Sequence, residues 1–276
     1  MASSLPAYRG RVPYLHPGPM AFAHRGFSLE GLENTLTAFR AAWELGFTHL
    51  ETDVRATRDG ALVAFHDERL DRVADRSGEV AKMSWPEVAA ARVGGVERVP
   101  LLAELAEELR GAFLNIDVKS AAAVVPLAEA IERMRLHERV LVTSFSEARR
   151  RAVLARVSRP VASSAGMRGA AAFRVLGSAL PEAVLRRMLR DVQALQVPEW
   201  TGRLRVVTPA SVARAHRLGL QVHVWTVNEA ADMGRLLDAG VDGLVTDRAD
   251  VLRSVLIGRG AWPPPAPGEE GRPAGR

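Results

Sequence analysis

The sequence predicts a (β/α)8 barrel, an α/β fold in which eight parallel strands alternate with helices. Short apolar runs of strand length are followed eight times by longer segments with apolar residues at helical spacing, which is typical of repeated βαβ units. The length of 276 residues, 47% of them apolar, suits one such barrel, since this fold typically uses about 250 residues. Acidic residues and histidines lie where several of the strands end, and that end of a barrel carries the active site.

The first half of the chain contains four predicted strands and a small insertion after strand 2. The predicted strands are "MAFAHRG", "FTHLETDV" with a short extension "ALVAFHD" after the "RDG" turn, "AFLNIDVKS" and "RVLVTSF". The predicted helices are residues 34–46, "VPLLAELAEELRG", about 123–135, and "SEARRRAVLAR". The segment at about 68–99 has no clear periodicity, so we expect an irregular insertion there.

The second half contains the remaining four strands, and the domain boundaries follow from the whole series. The strands are "RPVASSA", which is weak, "DVQALQVP", "LQVHVWTVN" and "VDGLVTD". The helices are a region up to residue 190, "TPASVARAHRLG" with a threonine cap, "EAADMGRLLDAG" and "RADVLRSVLIG". We expect an N-terminal extension at 1–19, the barrel at 20–259 and a disordered tail rich in proline and glycine at 260–276.

Composition narrows the classes of function. There is no cysteine, so disulfides, cysteine–zinc sites and a thiol nucleophile are excluded. The formal charge is +5, but no stretch interleaves clustered basic residues with aromatics as a nucleic-acid surface would. The N-terminus lacks the apolar core of a signal peptide, and no apolar run approaches the roughly 20 residues that span a bilayer. We expect a cytoplasmic protein that acts on a small molecule, without nucleic acid or stable membrane insertion; its oligomeric state stays open.

Three carboxylates are predicted to gather at the mouth of the barrel. Glu51 and Asp53 are two residues apart on a strand and therefore share a face, and Asp117 ends the neighbouring strand. Three close anions repel one another unless a cation compensates them, and carboxylate oxygens suit Mg²⁺ or Ca²⁺. The alternative is that each acid pairs with one of the many arginines. Because three acids fall on adjacent strand ends, we favour a metal site.

Two histidines and two cations accompany these acids. His24 ends the first strand and His66 follows the extension of the second, so they suit a reaction that removes one proton and delivers another. Arg25 and Lys119 bring positive charge to the same mouth, which with a divalent cation suits an anionic phosphorus group. Only two of the 37 basic residues are lysines, Lys82 and Lys119. A compact point charge is therefore expected at Lys119.

The remaining candidates have simpler structural interpretations. Trp225, at the end of strand seven, either forms a wall of the pocket or packs in the core, and His223 on the same face can fill a layer of the barrel. Asp247 either supports the site from behind or caps the last helix, and the cap is the favoured interpretation. The other histidines are interpreted as ordinary residues on loops or helix faces: His16, His49, His137 and His216.

With these residues in view, the chain resembles the glycerophosphodiester phosphodiesterases. The matching pieces occur in the family's order over roughly residues 20–257. They are "AHRG", "ENT", "ETDVRATRDGALVAFHD", "LDR", "NIDVKS", "VHVWTVN" and "GVDGLVTD". The combination of "HRG" with "ExD…HD" is highly specific, whereas each piece alone would be weak.

The resemblance implies a (β/α)8 barrel that uses a divalent metal to hydrolyse glycerophosphodiesters to glycerol 3-phosphate and an alcohol. By position it implies an acid–base pair, His24 and His66; metal ligands, Glu51, Asp53 and Asp117; phosphate contacts, Arg25 and Lys119; and Glu33 at the metal or glycerol edge. The insertion after His66 resembles the family's small insertion on the barrel mouth. Similar enzymes usually carry glutamate at the position of Asp117, so the carboxylate here is one methylene shorter.

Two other functions stay open at this point. One is a phospholipase of the sphingomyelinase D type that acts on lysophospholipids, although aromatics make up only 5% of the chain and no aromatic-rich membrane loop is evident. The other is a non-catalytic barrel that binds phosphodiesters. All the candidate site residues are kept, with Asp117 the one departure, and this favours an enzyme.

Overall fold

A computed structural model describes residues 13–166, Ala170, Phe173 and 180–263. In chain order the strands are β1 (Met20–His24), β2 (His49–Ala56), β3 (Leu62–Ala64), β4 (Arg92–Val93), β5 (Glu97–Arg98), β6 (Phe113–Val118), β7 (Val140–Thr143), β8 (Ala162–Ser163), β9 (Ala194–Pro198), β10 (Trp200–Thr201), β11 (Leu204–Arg205), β12 (Gln221–Trp225) and β13 (Gly243–Thr246). Eight of these strands form the barrel. They are β1, β2, β6, β7, β8, β9, β12 and β13.

The barrel closes through parallel pairing of each strand with its neighbours. β1 pairs with both β2 and β13, and the sheet runs on each side to β8 and β9. These last two meet through a parallel bridge between Ser164 and Ala194, and Ala165 N donates to Ala194 O at 2.9 Å. The predicted (β/α)8 barrel is therefore confirmed. The predicted weak fifth strand corresponds to β8, the shortest strand of the barrel, with two residues in regular pairing.

Helices surround this barrel and follow most of its strands. They are α1 (Leu36–Glu44), α2 (Trp85–Ala89), α3 (Leu102–Glu108), α4 (Val124–Arg133), α5 (Glu147–Leu154), α6 (Glu182–Met188), α7 (Pro209–Arg217), α8 (Ala230–Asp238) and α9 (Ala249–Gly258). The predicted threonine cap is present, since Thr208 Oγ1 accepts from Ser211 N at the start of α7. Within the described ranges, no helix is both long and apolar enough to cross a membrane.

The predicted insertion after strand 2 forms a small unit with its own apolar core. β3 folds back antiparallel on β2, and β4 and β5 form a hairpin within the insertion. The buried residues of this core are Val63, Phe65, Leu70, Val80, Val88, Ala91, Val93 and Val99. They form a cluster distinct from the main core between the barrel and its helices. Burial of apolar side chains thus holds the segment together although its regular elements are short.

The segment before β1 packs against the N-terminal end of the barrel. Tyr14 is fully buried, with its ring 5.1 Å from that of His49 and 5.8 Å from that of Phe113. Gln221 Nε2 donates to His16 O at 3.0 Å. The interpretation of His49 as a loop or helix-face residue is wrong, because it lies fully buried in β2. The predicted boundary at residue 20 stays a prediction, and most of the predicted tail lies outside the described residues.

Gly26 allows the turn after β1 to approach α1 closely, and this generates a stability prediction. Its φ is +85°, and a Cβ built on it would lie 2.6 Å from Ala38 C and 2.8 Å from Phe39 N. Gly60 has nearly the same φ, +86°, but nothing within 4 Å of its Cβ position. We expect Gly60→Ala to cost about 1 kcal/mol of backbone strain and Gly26→Ala roughly 3 kcal/mol or more. Equal losses in denaturant unfolding would contradict the close-approach explanation.

Candidate active site

Strand register stacks the candidate residues in layers inside the barrel. Side chains at alternate positions point inward, and β2 pairs with β6 so that Asp53 lies opposite Asp117. Asp117 is in turn opposite Thr143 of β7, and we call these three residues the acid layer. Glu51 lies one layer below, opposite Asn115. Glu51, Asp53 and Asp117 are each at most 7% exposed. This pairing confirms that the two strands carrying these acids are neighbours in the barrel.

Lys119 and Arg25 bind the carboxylates of the acid layer directly. Lys119 Nζ lies 2.6 Å from Asp117 Oδ2 and 2.9 Å from Asp53 Oδ1. Arg25 Nε lies 3.0 Å from Asp53 Oδ2, and its Nη1 donates to Glu33 Oε1 at 2.9 Å. Asp53 and Asp117 thus each have an opposite charge within ion-pair distance, which offsets the cost of burying them. In this structure Asp53 and Asp117 therefore pair with basic side chains, which was the alternative to a metal site.

The pKa values of the three acids are shifted in different directions because their charges are compensated unequally. Burial and the charge of Asp53 raise the pKa of Glu51 to about 7 against the opposing charges of His24 and the basic residues. Burial also raises the pKa of Asp117, although Lys119 opposes it. For Asp53, burial is outweighed by Lys119 and Arg25, so its pKa lies below the ordinary value. Burial therefore dominates the pKa at Glu51 and Asp117, whereas the basic residues dominate it at Asp53.

His24 is held by a carboxylate that the sequence analysis misassigned. Its Nδ1 donates to Asp247 Oδ1 at 2.6 Å, and Asn228 Nδ2 donates to Asp247 Oδ2 at 2.9 Å. The interpretation of Asp247 as a helix cap is wrong, since the N-cap residue of α9 is Arg248. On the other side, His24 Nε2 lies 3.8 Å from Glu51 Oε2. Burial lowers the pKa of His24, but Glu51 and Asp247 outweigh burial and raise it above its ordinary value.

His66 has the same type of support from its neighbour in sequence. Its Nδ1 donates to Asp67 Oδ1 at 2.6 Å. Arg72, from the insertion, binds Asp67 and also donates to both oxygens of Glu33, at 2.6 and 3.0 Å. Glu33 therefore lies at the edge of the site between Arg25 and Arg72. The "HD" dipeptide and the "LDR" piece contained Asp67 and Arg72, but the sequence alone indicated no role for either residue.

Asn34 is a member of the site that sequence reasoning missed. Its Nδ2 donates to Asp53 Oδ2 at 3.0 Å, and its Oδ1 accepts from Thr52 Oγ1 at 2.8 Å. Asn34 has a φ of +58°, a conformation that asparagine tolerates better than most residues. Its side chain therefore orients the central carboxylate. Asn34 is part of the "ENT" piece, but the charge of Glu33 made its neighbour the more evident candidate.

Aromatic side chains line one side of the mouth. The rings of Trp225 and Phe145 lie 5.7 Å apart in a T-shaped arrangement, and Lys119 Nζ lies 5.5 Å from the centroid of the Phe145 ring. Phe145 is 48% exposed at the end of β7. Trp225 is half-buried and thus available as a wall, as one of the two interpretations expected. His223 is fully buried and packs on Phe22 at 4.9 Å, in accord with a barrel layer.

The donor chemistry of the site fits a hard divalent cation. Carboxylate oxygens are the ligands that Mg²⁺ and Ca²⁺ prefer. Asp117 Oδ1 is buried without a hydrogen-bond partner. Burial, and after it the charge of Asp53, raises the pKa of Glu51, and a bound cation would oppose both effects. Among the described residues, however, no group of three or more histidines and carboxylates is arranged to hold a metal. Lys119 and Arg25 lie against the oxygens of the acid layer instead.

The fold is a (β/α)8 barrel, and its mouth holds two carboxylate-supported histidines and a cluster of buried acids, as in an enzyme that uses acid–base catalysis. The family model described as "Glycerophosphoryl diester phosphodiesterase family" matches residues 24–251. The chain is 47% identical over 251 residues to "Probable glycerophosphodiester phosphodiesterase 2" of Mycobacterium tuberculosis, covering 90% of this chain and 94% of that protein. The chain therefore belongs to the glycerophosphoryl diester phosphodiesterase family.

Solved structures support the same fold. A protein from Silicibacter pomeroyi DSS-3 that carries the name of a glycerophosphoryl diester phosphodiesterase has a TM-score of 0.72 and 25% identity, over 88% of this chain and 95% of that one. An Oleispira antarctica phosphodiesterase has a TM-score of 0.71 and 21% identity, over 87% and 97% of the two chains. That structure contains the product sn-glycerol-3-phosphate.

The raised pKa of Glu51 predicts how stability depends on pH. Between its ordinary pKa of 4.5 and about 7, the folded protein holds a proton that the unfolded chain releases, so the free energy of unfolding falls as pH rises. Glu51→Gln removes this titration. With chelator present, the variant should match the wild type near pH 4.5 and exceed it by about 3 kcal/mol at pH 8. A difference that does not change with pH, measured by urea unfolding, would contradict the assignment.

Proposed function

We propose that this protein hydrolyses glycerophosphodiesters to glycerol 3-phosphate and an alcohol. The observation that carries the proposal is the pair of carboxylate-supported histidines, with His24 bound to Asp247 and 3.8 Å from Glu51, and His66 bound to Asp67. Membership of the family supports the same substrate class. The presence of all candidate residues favours an enzyme over a non-catalytic binding barrel.

The two histidines act as the general acid and the general base. In each, a carboxylate occupies Nδ1, which fixes the tautomer and leaves Nε2 to face the substrate. One imidazole removes a proton from the nucleophile, either water or the glycerol 2-hydroxyl, and the other delivers a proton to the departing alkoxide. Attack by water gives glycerol 3-phosphate directly, whereas attack by the 2-hydroxyl gives a cyclic phosphate that water then opens to the same product. Asp247 and Asp67 stabilise whichever imidazole is charged. Asn228 and Arg72 hold these carboxylates in place.

A divalent cation, Mg²⁺ or Ca²⁺, is proposed as the cofactor. Glu51, Asp53 and Asp117 would hold it, and when bound it would supply positive charge to the phosphodiester and to the leaving oxygen. Arg25 and Lys119 bind the non-bridging phosphate oxygens and stabilise the charge that builds there. Glu33 positions Arg25, and Trp225 forms an apolar wall for the substrate.

The leaving alcohol distinguishes this proposal from its alternative, an enzyme acting on lysophospholipids. Rates on lysophosphatidylcholine vesicles and on soluble glycerophosphocholine, compared at equal phosphodiester concentration, separate the two. We expect the soluble substrate to be preferred. A cytoplasmic location and a role in the breakdown of lipid-derived glycerophosphodiesters are part of the same proposal.

Replacement of either histidine tests the acid–base roles. His24→Ala and His66→Ala should each lower kcat for glycerophosphocholine by about 10²-fold to 10⁴-fold, since one proton transfer loses its catalyst. The rate is measured by release of glycerol 3-phosphate, and folding by circular dichroism. His216→Ala is the matched control, because that histidine binds Asp242 behind the barrel wall. Near-normal rates in both site variants would refute the roles.

Removal of the cation tests the cofactor by a second readout. Chelation should abolish turnover, and either Mg²⁺ or Ca²⁺ should restore it. At 100 times the dissociation constant, the added ion should stabilise the wild type by about 2.7 kcal/mol. Asp117→Asn should lose most of this stabilisation, whereas Asp117→Glu should retain it because the carboxylate is kept. Unchanged unfolding with and without the ion would exclude these ligands.

A further inference from the structure

A row of side chains lies just beyond the acid layer. Arg55, in β2, and Lys119 and Phe145, just after the ends of β6 and β7, each follow a member of that layer by two residues. The strand pairing continues to this level, since Lys119 N donates to Val54 O at 3.1 Å. This row therefore forms the next level outward, between the buried carboxylates and the solvent.

Two arginines at this level lack an acidic partner. Arg55 Nε donates to His66 O at 2.8 Å, and Arg149 Nη1 donates to Lys119 O. Arg149 Nε is buried without a hydrogen-bond partner. Within the described part of the chain, neither guanidinium lies within the 4.0 Å ion-pair distance of a carboxylate. Arg25 and Arg72, at the same mouth, each bind two carboxylates.

Both guanidinium groups are anchored by backbone carbonyls of residues at the mouth, Arg55 by that of His66 and Arg149 by that of Lys119. Half-buried cations without a direct counter-charge are unfavourable, and a bound anion would relieve the cost of their desolvation. A planar carboxylate or a phosphate matches the fork of each guanidinium.

We propose that Arg55 and Arg149 form a subsite for an anionic group on the leaving alcohol, a carboxylate or a phosphate. This inference rests on the proposed function. The glycerol half of the substrate carries no charge, and the scissile phosphate is already assigned to Arg25 and Lys119. An additional anion in the substrate therefore belongs to the leaving alcohol. The two arginines are specificity-determining residues for acidic head groups.

Glycerophosphoserine and glycerophosphoethanolamine test this subsite because they differ by one carboxylate. We expect the wild type to favour the serine diester by about tenfold or more in kcat/KM, as a charge-assisted contact would give. Arg55→Met and Arg149→Met should each bring the ratio towards one by slowing the serine diester alone. Arg55→Lys should keep part of the preference. Arg58→Met is the matched control, since Arg58 is exposed and points to the insertion.

Binding to a His24→Ala, His66→Ala double variant provides a readout independent of turnover. Calorimetry should give a similar preference for the serine diester, decreasing as salt is raised. Equal affinities in this variant would overturn the subsite, and so would equal slowing of both diesters by the arginine variants, which would assign the arginines to the scissile phosphate. A wild type that binds the serine diester more tightly but cleaves neither compound would retain the subsite and refute the proposed function.

Discussion

The site depends on one constraint, the register of β2 against β6 that sets Asp53 opposite Asp117. With this register, one ammonium group, Lys119 Nζ, can reach both carboxylates. A shift by one residue would turn Glu51 and Asp53 away from the barrel interior and bring apolar neighbours to the inner face. Parallel hydrogen bonding along six residue pairs between these strands therefore fixes the electrostatics of the mouth as well as the fold.

A continuous network of ion pairs surrounds these two carboxylates. Arg25 connects the acid layer to Glu33, and Arg72 connects Glu33 to the carboxylate beside His66. Each histidine is oriented by an acid whose other oxygen is itself bound. A network of this kind is stable only when its members are all partnered, since a buried charge left alone is costly.

Most of the fold could be predicted because its signals are local. Eight apolar runs and intervening amphipathic helices were visible in the sequence, and a single strand spacing placed Glu51 and Asp53 on one face. The hairpin of β10 and β11 was not predicted, because two-residue strands leave no periodic pattern. The contact between His24 and Asp247 joins residues 223 positions apart, and only barrel closure brings them together. An acid just before a helix also has the pattern of an N-cap, which misdirected the interpretation of Asp247.

The separate apolar core of the insertion has a consequence for how such barrels diversify. Because the segment is stabilised by its own buried residues, its sequence can change without disturbing the packing between strands and helices. Its contact with the chemistry passes largely through Arg72, which anchors Glu33 and Asp67. The insertion could therefore be replaced by another segment during evolution, provided that an arginine still binds Glu33 and Asp67. Such a replacement would change the surface around the barrel mouth and leave the catalytic residues in place.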